Sequence, residues 1–281
     1  MIHPLAHVDS KAEIHGEVEI GPFSVVMAGV RIGPGNRLIS HAVVWPGTTL
    51  GSNNLLHPGV VLGGPPQDKS YRDEPTTTVI GNHNELREGV TVNRGTIKGG
   101  GVTKVGDGNL LMANCHLGHD VQLGSGAVIA NGVLLAGHIE VGDRVVMGGA
   151  VACHHFVRIG RMAFIGGLSR IVHDVPPFLK TSGEPARPRA LNRIGLRRNG
   201  VNDADIAELQ RAFSLLFLSN AVLRRGLVEI GRPVNGLVRE LVQFLNEWTE
   251  SPTGRYLERL RKDRPSAAAV PAADRAAAAE E

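Results

Sequence analysis

Residues Leu111–Ile139 read LMANCHLGHDVQLGSGAVIANGVLLAGHI. Steps of six from Leu111 meet Leu117, Leu123, Ile129 and Leu135, all apolar. The same phase extends forward to Ile171 and backward to Val105. It reappears at Ile80, Leu86 and Val92, and again at every sixth residue from Val8 to Leu62. In all, 25 positions keep the phase without a polar exception, and Gly follows the apolar residue in 12 of them. Alternation with period two would make a half-buried strand but would not impose a sixfold rhythm. Six residues are a short strand plus a tight corner, with the apolar side chain inward and Gly allowing the turn. Hexapeptide tracts of this kind imply a parallel β-helix.

The composition agrees. The 281 residues include 36 Gly but only 4% aromatics, so Val, Ile and Leu must fill narrow regular layers. The tract resembles the hexapeptide-repeat family of left-handed β-helices, in which three hexads make one triangular coil of 18 residues. The rhythm breaks at Gly63–Val79 and at Asn93–Lys104, two polar stretches that read as functional loops leaving the prism. It ends near Ile171, and Asp174-Val-Pro-Pro-Phe178 leads out in extended form.

Beyond that point the period becomes helical. Ile206, Leu209, Phe213, Leu216 and Phe217 share one helix face, with Asn202 or Asp203 as cap. Leu237, Leu241, Phe244, Leu245 and Trp248 mark a second helix, and Tyr256, Leu257 and Leu260 a third. The expected organisation is a mainly β chain: a left-handed β-helix over 1–178, a small C-terminal α-helical domain over 179–264, and a disordered tail over 265–281.

Several function classes drop out. A formal net charge of +3 is too small to argue for nucleic acid. Cys115 and Cys153 form neither a disulfide framework nor a CxxC metal signature. No basic start followed by an apolar run marks a signal peptide, and no run of about 18 apolar residues marks a membrane span. The expectation is a soluble cytoplasmic protein without stable membrane insertion. Residues 179–264 carry 16 Lys plus Arg against 10 Asp plus Glu. Arg187, Arg189, Arg193, Arg197 and Arg198 fall within twelve residues, a cluster suited to an anionic partner or else a solvated face.

The chemistry concentrates in histidines. Leu117, Leu135 and Cys153 begin hexads 18 residues apart, which stack directly. His119, His138, and the pair His154 and His155 follow them, so three coils bring histidines to one side. They are solvated surface residues, or zinc ligands, or include a base that takes a proton from a substrate hydroxyl. For a base at His119, the orienting carboxylate is Asp120 at a corner or Asp68 from the first loop.

The run Asn109–Asp120 (NLLMANCHLGHD) is similar to the active-site motif of the UDP-N-acetylglucosamine O-acyltransferase family, which opens lipid A synthesis. So are Leu135-Ala-Gly-His138, Gln67-Asp68, Arg94-Gly-Thr96 with Gly99-Gly-Gly101, Asp174-Val-Pro-Pro177, Asn192 and Gly195-Leu-Arg-Arg198. The resemblance covers about residues 1–225 and continues more weakly to the end. It implies transfer of an R-3-hydroxyacyl chain from acyl carrier protein to the 3-hydroxyl of UDP-N-acetylglucosamine, by a homotrimer whose sites lie between subunits, with no cofactor or metal. His119 matches the general base and the Gly137 N–H the oxyanion donor. Gln67 and Asp68 lie in the substrate loop. His116, His138, His154 and His155 lie in the stretch that contacts sugar and nucleotide. Asn192 and Arg198 match contacts to nucleotide or carrier, and Gly167 the position that limits acyl length. The chain departs from the family pattern at Lys69-Ser70, where Lys usually holds the second place. It departs also at His155 (commonly Gln), Ile194 (commonly acidic) and Asn199 (often Arg). The rival readings are a nucleotide-sugar N-acyltransferase, which carries a uridine-binding domain before its repeat, a zinc hydratase of the same repeat class, and a non-catalytic trimeric scaffold.

Overall fold

Each hexad folds into a strand of about two residues and a corner, and three hexads close one turn of a triangular prism. The computed structural model describes residues 1–218, 223–231, 233 and 235–260. The strands stack into three sheets of nine, eight and ten members, parallel except for the last strand of the ten-stranded sheet. Register follows the 18-residue coil: Leu117 lies opposite Leu135, which lies opposite Cys153. The architecture is a left-handed parallel β-helix with a small C-terminal helical part.

Of the 25 phased residues, all but Val8 and Ile14 are buried. Those two sit in the first coil, where no turn lies beneath, and pack half-exposed against the same core. The phased side chain of each hexad, joined in most hexads by a second buried residue two positions earlier (Val18, Val60, Val121 and Val133 among them), thus fills a single apolar core along the axis. A buried side chain of this size contributes roughly 1.5–3 kcal/mol by leaving water.

The corners work differently from the sequence expectation. The left-handed backbone conformation falls three residues after the inward residue, at Phe23, His41, Asn53, Asn114, Asp120 and His138 and at several glycines in the same phase. Gly directly after the inward residue has another purpose, close stacking. A Cβ on Gly21 would overlap the Ile39 carbonyl, and one on Gly33 the Gly51 carbonyl in the coil above. The corner that precedes the ten-stranded sheet carries a ladder of buried asparagines. Asn36 Oδ1 accepts from Asn54, Asn54 Oδ1 from Asn84, and Asn84 Oδ1 from Asn109.

Both breaks in the repeat leave from one edge. The first spans the gap between strands Val61–Gly64 and Thr77–Ile80, the second that between Thr91–Asn93 and Val102–Val105. Each joins the nine-stranded sheet to the eight-stranded one, at the edge where His119 turns the corner one coil above the second loop and His138 one coil above that.

The stretch after Phe178 departs from the helical expectation. Leu179–Gly183 adds to the ten-stranded sheet beside Phe164–Ile165 and then pairs antiparallel with Ala186–Leu191. Helices begin only afterwards: α1 (Arg193–Arg198), α2 (Asp203–Phe213), α3 (Leu223–Ile230) and α4 (Gly236–Thr249). Asn202 caps α2, its side chain accepting from the Asp205 N–H. The third amphipathic segment is a short 3-10 turn, Tyr256–Leu260, in place of an α-helix. A second core, with Phe178, Leu196, Leu209, Phe213, Leu241 and Leu245, lies under these helices. The tail over 265–281 lies outside the described residues.

Candidate active site

Stacked hexads align their corners residue by residue. Two residues after the inward position the column reads His119, Gly137, His155; three residues after, it reads Asp120, His138, Phe156. The structural counterpart of His119 in the next coil is therefore Gly137, and His138 sits one column over.

That offset shapes the site. The His119 ring lies over Gly137: a Cβ there would be 2.5 Å from His119 Cε1 and 2.6 Å from Nε2. The rings of His119 and His138 meet edge to face, with centroids 4.9 Å apart, and His138 stacks on Phe156 at 4.5 Å. The Gly137 N–H donates to His155 Nδ1 at 3.1 Å, and the Gly137 carbonyl accepts from the Phe156 N–H at 3.2 Å.

His119 and Asp120 are neighbours in sequence yet touch, because Asp120 occupies the left-handed corner (φ 63°), where strand alternation lapses. His119 Nδ1 lies 2.7 Å from Asp120 Oδ2. The carboxylate accepts the Thr96 N–H at 2.7 Å and the Thr96 hydroxyl at 2.6 Å, and the Asp120 N–H donates to Thr103 at 2.7 Å. A Cβ on Gly99 would overlap this carboxylate, so the glycine-rich second loop is shaped around Asp120. Thr96, Gly99 and Thr103 were not singled out individually as site residues from sequence. Their signal was the position of that loop, which replaces the same corner in the coil beneath.

Asp68 lies in the first loop and lines the site without orienting His119. Its Oδ1 accepts the Ser70 N–H and hydroxyl, both at 2.8 Å, and these bonds, the backbone one first, hold its acidity above that of an ordinary carboxyl. The unusual Ser70 thus closes a turn around Asp68. Gln67, Asp68, Lys69, Lys98, His119, His138, His154, His155 and Phe156 line a cavity of about 500 Å³. His116 lies beside it, with Nδ1 2.8 Å from the Thr91 hydroxyl. Burial holds His116 and His138 below the usual imidazole pKa; the charge of His119 adds to this at His116, while Asp120 opposes it at His138.

Three residues implicated by resemblance lie elsewhere. Asn192 is buried as the cap of α1: its Nδ2 donates to Met162 O at 2.9 Å and its Oδ1 accepts the Gly195 N–H at 3.2 Å. Arg198 is exposed at the end of α1. Gly167 turns a different corner, exposed, where a Cβ would meet the Gly149 carbonyl at 3.2 Å. Within this chain none of the three lines the His119 cavity.

Ligand atoms of His119, Asp120 and His138 lie within 4.8 Å of one another, a spacing able to hold a metal ion. The same geometry serves acid–base chemistry. With Nδ1–H donated to a buried carboxylate, the lone pair of His119 is at Nε2, beside the Gly137 backbone.

Residues 174–254 match the family described as UDP N-acetylglucosamine O-acyltransferase, domain 2, and residues 103–137 match bacterial transferase hexapeptide repeats. A protein from Paraburkholderia phymatum, named acyl-(acyl-carrier-protein)–UDP-N-acetylglucosamine O-acyltransferase, is 44% identical over 88% of this chain and 96% of its own. Its namesake in Anaeromyxobacter dehalogenans is 46% identical over 84% and 91%. The crystal structure of UDP-N-acetylglucosamine O-acyltransferase from Moraxella catarrhalis superposes with a TM-score of 0.84 at 37% identity, covering 87% of this chain and 96% of that one.

Proposed function

The chain belongs to the UDP-N-acetylglucosamine O-acyltransferase family, and we propose that it moves an R-3-hydroxyacyl group from acyl carrier protein to the 3-hydroxyl of UDP-N-acetylglucosamine, with His119 as general base. The observation that carries the base is the 2.7 Å contact between His119 Nδ1 and Asp120, whose carboxylate is itself fixed by Thr96.

A thioester is already activated, so the chemical demand falls on the acceptor. A sugar hydroxyl is far less acidic than imidazolium and must lose its proton as it attacks. His119 Nε2 takes that proton while the sugar oxygen bonds to the thioester carbon. Asp120 stabilises the imidazolium that forms. The carbonyl oxygen becomes an oxyanion, and the Gly137 N–H donates to it. The C–S bond then breaks, and His119 returns its proton to the carrier thiolate.

Transfer is direct. Cys115 is buried, its thiol donating to the Ala130 carbonyl at 3.0 Å, and burial raises its pKa. Cys153 points into the prism, where burial pushes its thiol up to about 12. Neither supplies a thiolate for an acyl-enzyme. The carrier meets the basic surface of the hairpin and α1, and three copies assemble so that each site lies between two subunits. The protein works in the cytoplasm; among the described residues no helix is long and apolar enough to cross a membrane.

The test is an assay of purified protein with UDP-N-acetylglucosamine and a panel of acyl carrier thioesters. His119→Ala is expected to lose about 100-fold or more in kcat while keeping its fold, and Cys115→Ala to stay active. Near-normal turnover of His119→Ala overturns the base, and a labelled acyl group retained on the protein overturns direct transfer. The second reading, a metal on His119, Asp120 and His138, has the 4.8 Å cluster in its favour and requires chelation to abolish activity.

A further inference from the structure

We propose that His155 caps the oxyanion donor of the resting site, holding the Gly137 N–H until the sugar nucleotide arrives and so protecting the acyl thioester from water. This rests on the reading of His119 and Gly137 given above.

Both polar groups of Gly137 are engaged, but by partners of different kinds. Its carbonyl accepts from the Phe156 backbone, fixed by the corner. Its N–H donates to a side chain, His155 Nδ1, at 3.1 Å. His155 is exposed at the cavity wall with its ring edge to face against His154, centroids 5.6 Å apart, so leaving the Gly137 N–H takes a side-chain rotation and no movement of the coil. One N–H shared with an imidazole lone pair is a poor donor to an oxyanion, because it has a single proton to give. While His155 holds that proton, the base is in place and the electrostatic half of the site is closed.

The closure has a chemical use. A base and an oxyanion donor that activate a sugar hydroxyl also activate water. In that side reaction water oxygen attacks the thioester carbon and His119 takes its proton. The C–S bond breaks, the thiolate is reprotonated, and free acid and carrier thiol leave. With Nδ1 accepting from Gly137, His155 carries its own proton on Nε2. A hydroxyl or phosphate oxygen of the sugar nucleotide that accepts this proton draws the ring away and frees the Gly137 N–H. His155 is thus a positioning residue that couples acceptor binding to assembly of the site.

The experiment measures hydrolysis of acyl carrier thioester without sugar nucleotide, and transfer with it, in wild type, His155→Ala, His155→Gln, His119→Ala and the His155→Ala, His119→Ala pair. Removing the cap should raise hydrolysis on the order of tenfold or more, in keeping with the weight of one oxyanion donor. His155→Gln offers an amide oxygen to the same N–H and should stay near wild type. The double variant should return to background. In transfer, His155→Ala should change KM for the sugar nucleotide more than kcat. The cap is overturned if hydrolysis by His155→Ala is unchanged, if His155→Gln hydrolyses as fast as His155→Ala, or if the double variant keeps the excess. Loss of transfer in His119→Ala alongside any of these results leaves the base standing. Retained transfer in His119→Ala overturns the base itself.

Discussion

Gly137 is the one position of the His119 column where a side chain and the site exclude each other. A methyl group there would fall on the His119 ring, within 2.6 Å of Nε2. Its φ is not in the left-handed region, so alanine is tolerated by the backbone. Gly137→Ala is therefore expected to melt near the wild-type temperature while losing about 100-fold in kcat, the scale of a lost general base. An active Gly137→Ala would mean that His119 works from another rotamer. The sequence made His119 and Asp120 legible as a pair but not their contact. Period-two alternation points neighbouring residues to opposite faces, and only the left-handed φ at Asp120 turns them together. Asp68 remained a rival on sequence because no spacing rule says where a twelve-residue loop returns. Its bonds to Ser70 and the bond of Asp120 to His119 decide between them.

The hexad is the element that sequence reads best, because an inward residue at every sixth position leaves a trace that needs no tertiary information. What it hides is how the corners hold together. In the asparagine ladder, Asn84 Oδ1 accepts both the backbone N–H and the Nδ2 of Asn109. Asn84→Ala leaves those buried donors unpaired and should destabilise the prism by about 1–3 kcal/mol. Denaturant melts would show this, with turnover per folded molecule unchanged. The hairpin Leu179–Leu191 was illegible for a different reason. Its second strand, ARPRAL, has two exposed arginines flanking a proline, a pattern typical of an edge that only its neighbour turns into strand. Together with α1 it spreads the arginine cluster over two elements. Arg197 is tied to Asp203 at 2.8 Å, whereas Arg193 and Arg198 project exposed from α1. Replacing Arg193 and Arg198 with alanine should raise KM for acyl carrier protein and flatten its salt dependence. An unchanged KM would make the cluster a solvated face.

At the scale of the whole molecule, prism and helices are clasped through Arg158. Its guanidinium lies between the rings of Phe244 and Tyr256, 4.4 and 4.1 Å from their centroids, and pairs with Asp174 at 3.0 Å and with Glu247. Burial outweighs the bonds from Arg158 and pushes the Asp174 carboxyl up to about 6. An unfolded aspartate takes up its proton only near pH 3.8. Between those values the folded chain binds a proton that the unfolded chain lacks, so this group adds stability as pH falls from about 7 toward 4 and withdraws it as pH rises through 6. His116 and His138 act in the opposite sense. Held neutral when folded, they cost stability once pH falls below 6.5, where the unfolded chain would charge them. A bulk melt therefore mixes two trends of opposite sign, and the clasp needs a local reporter. Trp248 shares a small cavity with Asp174, and the second tryptophan, Trp45, belongs to the prism. In a Trp45→Phe background the Trp248 emission should titrate with a midpoint near 6. Adding Asp174→Asn should abolish that step. If the midpoint survives in Asp174→Asn, the clasp does not titrate through Asp174.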